Sequence, residues 1–430
     1  MFKILKNILV KLILGLVYSK AYLRFVFQRP KRLNIGFVVE EFFHEQLRGF
    51  GGFGMTVKNI SDYYNPQNNT VWIDVLLSYQ LPVAPSPMIK QFHNADVLLR
   101  ANTELNPNRN LRRYMDLLSS RQLKVFVTID YQPSYNYPLK AAPWIPVIIY
   151  IRDPRGEEEW GKLATVSLEK KQRLKNQNDS LAKFTQAKRE AIQELIRISK
   201  RFHRKIIFAT NAQFLVDRAK RDYGLDWINP YLLQNPLPMH RVFKLTFSER
   251  PSLCFIGRLD AQKRFWMAFE LAKRFPNVDF YICGDTNAPE LMNPVIEKYR
   301  SLENLKMLGV VQGEKKYKIL NECWGLLNTS IHEGLPVTFL EMFMFGKPVI
   351  SCLDPDGLVS RYGYYTGEIL GEGMDEESLN KFSVQIEKFL SSLEERMEKG
   401  LSGQRHVERN HSFENFNRQL MGILKAEKII

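Results

Sequence analysis

The stretch His332-Glu-Gly-Leu-Pro-Val-Thr-Phe-Leu-Glu341 continues as Met342-Phe-Met-Phe-Gly-Lys-Pro-Val-Ile350 and predicts a helix followed by a buried strand. The Gly-Lys-Pro segment ends the predicted helix, and the apolar residues after it are typical of a strand. Glu333 stands at the mouth of the helix and Glu341 stands inside it. Eight helical residues rise about 12 Å and return to nearly the same face. This separation suits one extended polar ligand held at both ends, and it is too long for two carboxylates that share a proton or a metal.

The chain has 430 residues and the composition of an ordinary globular protein, with 45% hydrophobic and 25% charged residues. Its length predicts two domains, each with its own core. The net charge of +15 favours an anionic partner: nucleic acid, anionic lipid or a phosphorylated substrate. Because the sequence contains no recognised nucleic-acid-reading motif, we do not expect a nucleic-acid partner.

Residues 1–32 form a basic segment without any acidic residue. Its longest apolar run, residues 12–18, is too short to span a bilayer. We predict an amphipathic helix that lies in an anionic membrane surface. The alternative is a helix that packs on the protein's own body.

Residues 33–236 alternate strand-like runs with helical or loop segments, which predicts a mostly parallel sheet in a Rossmann-like domain. The strand-like runs are Leu33–Val39, Val71–Leu77, Ala95–Arg100, Leu123–Ile129, Ile145–Ile151 and Lys205–Ala209. Residues 155–204 are charged and nearly free of Gly and Pro, which predicts a helical insertion in this domain. Its basic face either meets anionic groups or is simply solvated.

A second alternating series covers residues 237–412, after the linker Asn235-Pro-Leu-Pro238. Its strand-like runs are Leu253–Ile256, Val278–Cys283, Leu305–Val311, Gly325–Asn328 and Pro348–Ser351. One helix is predicted from Glu376 to Lys399, and a last helix lies within residues 413–430. The predicted fold class is therefore α/β, with two Rossmann-like domains in series.

Gly51-Gly-Phe-Gly54 follows the first predicted strand and precedes a helix predicted from Met55. Glycines let the backbone approach a ligand closely, and a helix N-terminus favours a phosphate group. The spacing is not that of a dinucleotide-binding G-x-G-x-x-G motif. A tight turn without a ligand explains the segment equally well.

Phe255-Ile-Gly-Arg-Leu-Asp-Ala-Gln-Lys-Arg264 carries a stronger signal. A predicted strand ends at Gly257, and Arg258 and Lys263 follow in the turn that leads into the next helix. Two cations beside the positive end of a helix predict a receptor for a diphosphate. The alternative is one surface cation and one structural salt bridge.

These segments together resemble the carboxyl-terminal domain of the retaining glycosyltransferases of family four, which have the GT-B fold. The resemblance rests on Gly257-Arg258-Leu-Asp-Ala-Gln-Lys263, the strand ending at Cys283-Gly284, residues 304–311, and Glu333-x7-Glu341. It covers roughly residues 33–425 and implies two Rossmann-like domains that face each other across a donor-binding cleft. Gly51, Gly52, Phe53 and Gly54 resemble a landmark of the amino-terminal half.

The resemblance implies a role for each matched residue. Arg258 and Lys263 would hold the donor diphosphate beyond Gly257, and Glu333 would bind hydroxyls of the donor sugar. The backbone of Gly334, Leu335, Pro336 and Val337 would help to cradle sugar and phosphate. Glu341 would bind the ribose, and Val311 would line the base. The implied enzyme uses a nucleotide-diphosphate sugar as its donor substrate and needs no cofactor. It also needs no metal, because Arg258, Lys263 and a helix terminus would balance the charge of the diphosphate.

The chain departs from the family near the sugar, where many relatives carry a histidine after an amino-terminal strand. Asp153 or Asp130 follows the corresponding predicted strands here, so either carboxylate is a candidate for that place. Large residues follow Glu341 where relatives carry small ones, which predicts a reshaped core or donor pocket. Asp354-Pro-Asp356 superficially resembles a metal-binding D-x-D, and we interpret it as a turn.

The resulting hypothesis is a retaining, metal-independent glycosyltransferase at the cytoplasmic face of the cell membrane. Its partners would be a nucleotide sugar, a lipid-linked or polysaccharide acceptor of envelope glycan synthesis, and the anionic membrane surface. The alternatives are another activity on the same fold, such as an epimerase or a phosphorylase, and a non-catalytic protein that binds sugar nucleotides or glycans.

Overall fold

The computed structural model describes most of the chain as two α/β units. The described residues are 2–27, 33–39, 51–64, 71–77, 88–92, 95–99, 107–121, 123–167, 181–239 and 246–430. Residues 28–32 of the basic amino-terminal segment and residues 168–180 of the charged insertion lie outside the described residues.

The amino-terminal unit contains one sheet of eight strands among the described residues. The strands are β1 (Leu33–Val39), β2 (Val71–Leu77), β3 (Met88–Phe92), β4 (Ala95–Leu99), β5 (Val125–Ile129), β6 (Val147–Ile151), β7 (Ile206–Thr210) and β8 (Tyr231–Leu232). Their order is β3-β4-β2-β1-β5-β6-β7-β8, and only the pair β3–β4 is antiparallel. Strands β1, β5 and β6 are buried along their whole length, which explains their near-continuous apolar sequences.

Helices flank this sheet, and two of them, Glu157–Ala164 and Leu181–Arg201, belong to the predicted insertion. They are α1 (Phe2–Phe27), α2 (Gly52–Tyr64), α3 (Pro107–Arg121), α4 (Asn136–Ala141), α5 (Glu157–Ala164), α6 (Leu181–Arg201) and α7 (Leu215–Tyr223). Helix α7 ends at Gly224, whose φ of 65° is a left-handed conformation that glycine adopts without a steric cost.

The carboxyl-terminal unit contains a parallel sheet with the order β11-β10-β9-β12-β13-β14. The strands are β9 (Ser252–Ile256), β10 (Asp279–Cys283), β11 (Leu305–Gly309), β12 (Gly325–Asn328), β13 (Val349–Ser351) and β14 (Tyr364–Tyr365). The helices are α8 (Phe265–Arg274), α9 (Pro289–Glu297), α10 (Gly313–Glu322), α11 (Val337–Met344), α12 (Leu358–Tyr362), α13 (Glu376–Ser391), α14 (Leu393–Asn410) and α15 (Phe413–Ala426).

The prediction of a single helix from Glu376 to Lys399 is wrong, because the helix is interrupted at Ser392. Ser392 has an extended backbone, and its side chain accepts a hydrogen bond from the amide of Glu395. This N-cap starts a new helix, α14, directly after α13. The sequence Ser-Ser-Leu-Glu-Glu at residues 391–395 contains the capping signal.

Helix α15 returns to the amino-terminal sheet and packs on it. Phe416, Leu420 and Ile423 belong to the same buried apolar cluster as Ile35 and Val127. The final helix therefore joins the carboxyl-terminal end of the chain to the amino-terminal unit.

The carboxyl-terminal half of α1 packs on the protein's own body along one face. The Tyr18 hydroxyl donates a hydrogen bond to the carbonyl of Lys140 at 2.9 Å, and its ring lies against Trp144. Ala21 is buried, whereas Leu23 and Phe27 on the other side are exposed. Among the described residues, no helix is long and apolar enough to cross a membrane.

The Arg264 side chain joins three loops at the carboxyl ends of the second sheet. It is fully buried, and its backbone is left-handed, with φ of 46°. Its nitrogens donate to the carbonyls of Thr329, Ser330, Ile369 and Gly371 and to the Cys352 sulfur. Because Arg264 directly follows Lys263, these bonds also fix the backbone that carries Lys263.

We expect Arg264→Lys to lower the free energy of unfolding by about 2–3 kcal/mol, because an ammonium group replaces only part of the guanidinium hydrogen bonds. Urea unfolding monitored by circular dichroism measures this loss. Arg300→Lys makes the same chemical change on an exposed side chain and is the control. Equal stability of the two variants would contradict the role assigned to Arg264.

Asp130, the residue after β5, holds the backbone after the neighbouring strand β6. Its carboxylate accepts hydrogen bonds from the amides of Arg152 at 2.6 Å and Asp153 at 3.0 Å. Its own backbone is left-handed, with φ of 54°. Burial raises the pKa of Asp130 to about 7, although the amides of Arg152 and Asp153 act in the opposite direction.

This raised pKa predicts a pH-dependent contribution to stability. Below its ordinary pKa Asp130 is protonated in both states, and between about pH 4 and 7 only the folded protein keeps the proton. The stabilisation from Asp130 is therefore lost as the pH rises through this window, by at most about 1.4 kcal/mol per pH unit. Relative to the wild type, Asp130→Asn should become more stable from pH 4 to 7 in urea unfolding. A difference independent of pH would rule this out.

Candidate functional site

The loop after β9 carries the two cations that the sequence singles out. Arg258 is 54% exposed, and its Nε lies 3.1 Å from Asp260 Oδ2. Asp260 also accepts a hydrogen bond from the amide of Lys263 at 3.0 Å. The Lys263 ammonium pairs with the carboxylate of Glu333, and both side chains are mostly buried. The structure thus brings together Lys263 and Glu333, two of the residues implicated from the sequence.

Two glycines allow this loop to lie close to its neighbours. A Cβ at Gly257 would touch the side chain of Lys263 at 3.3 Å. A Cβ at Gly284, after β10, would overlap the carbonyl of Gly257. A larger residue at Gly284 would therefore displace the loop that carries Arg258 and Lys263, whereas one at Gly257 would require a small shift of the Lys263 side chain.

Glu333 to Val337 form the approach to the N-terminus of α11. Pro336 is the N-cap with an extended backbone, no side chain within the described part of the chain caps the helix, and its first turn contains no acidic residue. The first amides of α11 can therefore bind an anion. Since the helix begins at Val337, Glu333 is not helical, and the 12 Å separation expected for two helical carboxylates does not apply. Gly334, Leu335 and Pro336 are buried between Glu333 and the helix.

Glu341 lies within α11 and is paired with a lysine that the sequence did not single out. Lys316, on α10, places its Nζ 2.7 Å from both carboxylate oxygens of Glu341. Val311, immediately before α10, is buried, whereas Val310 is exposed. The assignments of Glu341 to a ribose and of Val311 to a base stay predictions.

Asp153, after β6 of the first sheet, reaches the segment that carries Glu333 in the second unit. Its Oδ1 lies 2.8 Å from His332 Nε2, and its Oδ2 accepts two hydrogen bonds from Arg155 at 2.6 and 2.9 Å. Burial opposes ionisation of Asp153, but Arg155 and His332 outweigh it, so the pKa of Asp153 stays well below its usual range. Asp153 is therefore an anion at neutral pH, and both its oxygens are occupied.

Sequence reasoning missed His332, although it directly precedes Glu333. The sequence around His332 does not indicate which residue it contacts, because its partner Asp153 follows a strand of the other sheet. Of the two aspartates considered at this place, Asp153 contacts His332, whereas Asp130 lies beneath it and holds its backbone amide.

The glycine segment begins helix α2 rather than preceding it. Gly52, Phe53 and Gly54 form the first turn of α2, and the amide of Met55 donates to the carbonyl of Gly51. A Cβ at Gly52 would lie 3.6 Å from the side chain of Val337, so the N-termini of α2 and α11 lie close together.

The side chain of Phe53, in the first turn of α2, lies near a cation of the first sheet. The guanidinium carbon of Arg152 lies 5.5 Å from the centre of the Phe53 ring.

Asp354 and Asp356 both accept hydrogen bonds from backbone amides. Asp354 accepts those of Val359 and Ser360, whereas Asp356 accepts those of Gln213 and Phe214 beside α7 in the other unit. These carboxylates thus serve a helix start and a contact between the two units.

Comparison with protein families gives a match in the carboxyl-terminal part of the chain. Residues 240–399 match the family Glycosyl transferases group 1. The uncharacterized glycosyltransferase MJ1059 of Methanocaldococcus jannaschii is 29% identical over 118 residues, which cover 26% of this chain and 29% of the relative. The match thus spans less than a third of that relative's length.

Solved structures resemble nearly the whole chain. Anabaena Alr3699/HepE in complex with UDP and glucose has a TM-score of 0.61 at 12% identity and covers 92% of this chain and 100% of its own. Sucrose-phosphate synthase of Thermosynechococcus elongatus has a TM-score of 0.64 at 13% identity, with 92% and 99% covered. The lipopolysaccharide outer core galactosyltransferase WaaB has a TM-score of 0.56 at 14% identity, with 91% and 100% covered. The chain therefore has the GT-B fold, and the family match falls on its carboxyl-terminal unit.

Proposed function

We propose that the protein is a retaining glycosyltransferase that moves a sugar from a nucleotide-diphosphate sugar to a lipid-linked or polysaccharide acceptor in envelope glycan synthesis. The pairing of Lys263 with Glu333 carries this proposal, because it places a phosphate-binding cation beside a carboxylate that can bind sugar hydroxyls. The solved structure with UDP and glucose supports a nucleotide-sugar donor, and the lipopolysaccharide galactosyltransferase supports an envelope acceptor.

The donor would lie along the segment from the loop after β9 to the N-terminus of α11. Arg258 and Lys263 would bind its diphosphate, together with the amides of Gly334, Leu335 and Val337. Glu333 would accept hydrogen bonds from the sugar hydroxyls. Glu341 would bind the ribose, and Val311 would line the base.

The reaction breaks the bond between the sugar's anomeric carbon and the diphosphate oxygen, and the bonding electrons leave with the diphosphate. The acceptor oxygen forms its bond to the same carbon on the same face, so the configuration is retained. The acceptor proton passes to the departing phosphate oxygen. Arg258, Lys263 and the N-terminus of α11 stabilise the negative charge that grows on the leaving group. A bound metal has this role in other transferases.

The exposed side of α1 would bring the enzyme to its acceptor at the cytoplasmic face of the membrane. Leu16, Leu23 and Phe27 are exposed apolar residues there, and Lys20 and Arg24 are exposed basic residues between them. Apolar side chains flanked by cations bind anionic bilayers by burial and by charge. Tyr18 and Ala21 pack on the body of the protein. In this proposal one face of α1 therefore packs on the body, and the opposite face meets the membrane.

Replacement of either diphosphate-binding cation should slow transfer strongly. Arg258→Ala and Lys263→Ala should each lower kcat/KM by about 10²–10³-fold, since each removes one charge that stabilises the leaving group. The assay follows release of nucleoside diphosphate from a panel of UDP- and GDP-sugars with a glycolipid extract as acceptor, and it identifies the glycosylated product by mass spectrometry.

Lys273→Ala, on the helix α8 that follows this loop, removes an exposed lysine outside the proposed site and is the matched control. Near-normal turnover by both site variants would refute the diphosphate assignment. A product that is an epimerised nucleotide sugar would identify an epimerase, and a wild type that binds nucleotide sugars without turnover would identify a binding protein.

Membrane binding should depend on the exposed side of α1. Leu23→Glu with Phe27→Glu should weaken sedimentation with phosphatidylglycerol vesicles about tenfold or more, because two apolar side chains no longer enter the bilayer. Both replacements leave Tyr18 and Ala21 in place, so the helix keeps its packing on the body.

Val384→Glu, an exposed apolar position on α13, controls for added negative charge. Binding of the double variant at the wild-type level would refute the membrane assignment. Wild-type binding to neutral phosphatidylcholine vesicles as strong as to anionic ones would refute the role of Lys20 and Arg24.

A further inference from the structure

Each residue of the segment 332–334, which carries Glu333, is contacted by the amino-terminal unit. His332 Nε2 lies 2.8 Å from Asp153 Oδ1, and because Asp153 is ionised the imidazole must donate this hydrogen bond. The carbonyl of Glu333 accepts a hydrogen bond from Arg218 Nη1 at 2.9 Å. A Cβ at Gly334 would overlap the backbone carbonyl of the residue before Asp153. The amino-terminal unit thus fixes the backbone on both sides of the Glu333 side chain.

A ring of four residues closes the contact at His332. The carbonyl of His332 accepts a hydrogen bond from Gln262 Nε2 at 2.9 Å. Gln262 Oε1 in turn accepts one from Arg155 Nη1 at 3.2 Å, and Arg155 is paired with Asp153. Asp153, His332, Gln262 and Arg155 therefore connect the two units through a continuous path. Gln262 also directly precedes Lys263, so the path reaches the loop proposed to bind the diphosphate.

We propose that Asp153, His332 and Arg218 are positioning residues, which hold Glu333 in the orientation that binds the donor sugar. The sugar end of the donor site is then held by the amino-terminal unit, whereas the two cations of the diphosphate end, Arg258 and Lys263, belong to the carboxyl-terminal unit. This proposal rests on the proposed function. In this proposal the ionised Asp153 transfers no proton, and both its carboxylate oxygens already accept hydrogen bonds, from Arg155 and His332.

The buried carboxyl of Asp130 supports this arrangement from below. It accepts hydrogen bonds from the amide of Asp153 and from that of the residue before it. The backbone that presents Asp153 to His332 is thereby held at two successive amides. A displacement of about 1 Å at a positioning group is enough to cost about 10²-fold in rate.

The separation of the two ends of the donor predicts a selective loss of affinity. Asp153→Ala and His332→Leu should weaken binding of UDP-glucose at least tenfold by calorimetry, while the Kd of UDP stays within about twofold, since UDP lacks the sugar. GDP-mannose and GDP form the alternative pair if the wild type prefers guanine. His332→Gln can place an N–H near the position of Nε2, so it should restore most of the lost affinity.

Glu368→Gln removes an ion pair with Lys162 that also joins the two units but lies away from Glu333, and it is the matched control. Wild-type affinity for the nucleotide sugar in Asp153→Ala and His332→Leu would overturn the proposal. An equal loss for UDP and UDP-glucose, or the same selective loss in Glu368→Gln, would also overturn it. A wild type that binds none of the four ligands would instead overturn the proposed function, and this proposal with it.

Discussion

The ion pair between Lys263 and Glu333 is the contact around which the candidate site is arranged. It joins the loop after β9 to the segment before α11, so it sets the distance between the Lys263 ammonium and the N-terminus of α11. Arg264 fixes the same loop from inside the core, through hydrogen bonds to carbonyls of two other loops and to the Cys352 sulfur of a third. The site therefore depends on a buried guanidinium that has no carboxylate partner within the described residues. The helix terminus and the cations are brought together by the parallel sheet, whose carboxyl ends lie at one edge.

The fold was predictable because its main signal is local. Apolar runs such as Leu33–Val39 and Gly325–Asn328 are strands at the predicted positions, since strands buried on both faces need continuous apolar sequence. The GT-B prediction is confirmed by the two sheets and by the solved structures. Strand β3 (Met88–Phe92) was missed because it is short, contains Lys and Gln, and pairs antiparallel with β4. The break at Ser392 was missed because one N-cap interrupts two helices that are otherwise continuous.

The site was predictable only where the residues lie in one motif. Arg258, Lys263, Glu333 and Glu341 stand out because their spacing along the chain is itself informative. Other contacts come from elsewhere in the chain: Lys316, the partner of Glu341, is on the preceding helix, and Asp153, the partner of His332, follows a strand of the other sheet. Pairing across such distances in the chain is decided by the packing of the two units, which the sequence pattern of a single segment does not encode. The glycine segment shows the same limit, since its proximity to Val337 depends on how α2 and α11 meet.

The charges of the site suggest how a donor would be recognised at both ends at once. Lys263 is paired with Glu333, Lys316 with Glu341, Arg258 with Asp260 and Arg155 with Asp153, so these eight groups nearly balance. The net charge of +15 is therefore not concentrated in these groups. In the proposed function, an entering diphosphate replaces Glu333 as the partner of Lys263. The Glu333 carboxylate is then free to bind the sugar. An anion without a sugar would leave Glu333 without a partner in a largely buried position, which is costly. The exchange of partners at Lys263 thus favours a sugar diphosphate over a free diphosphate, provided that Glu333 is held in place from the other unit.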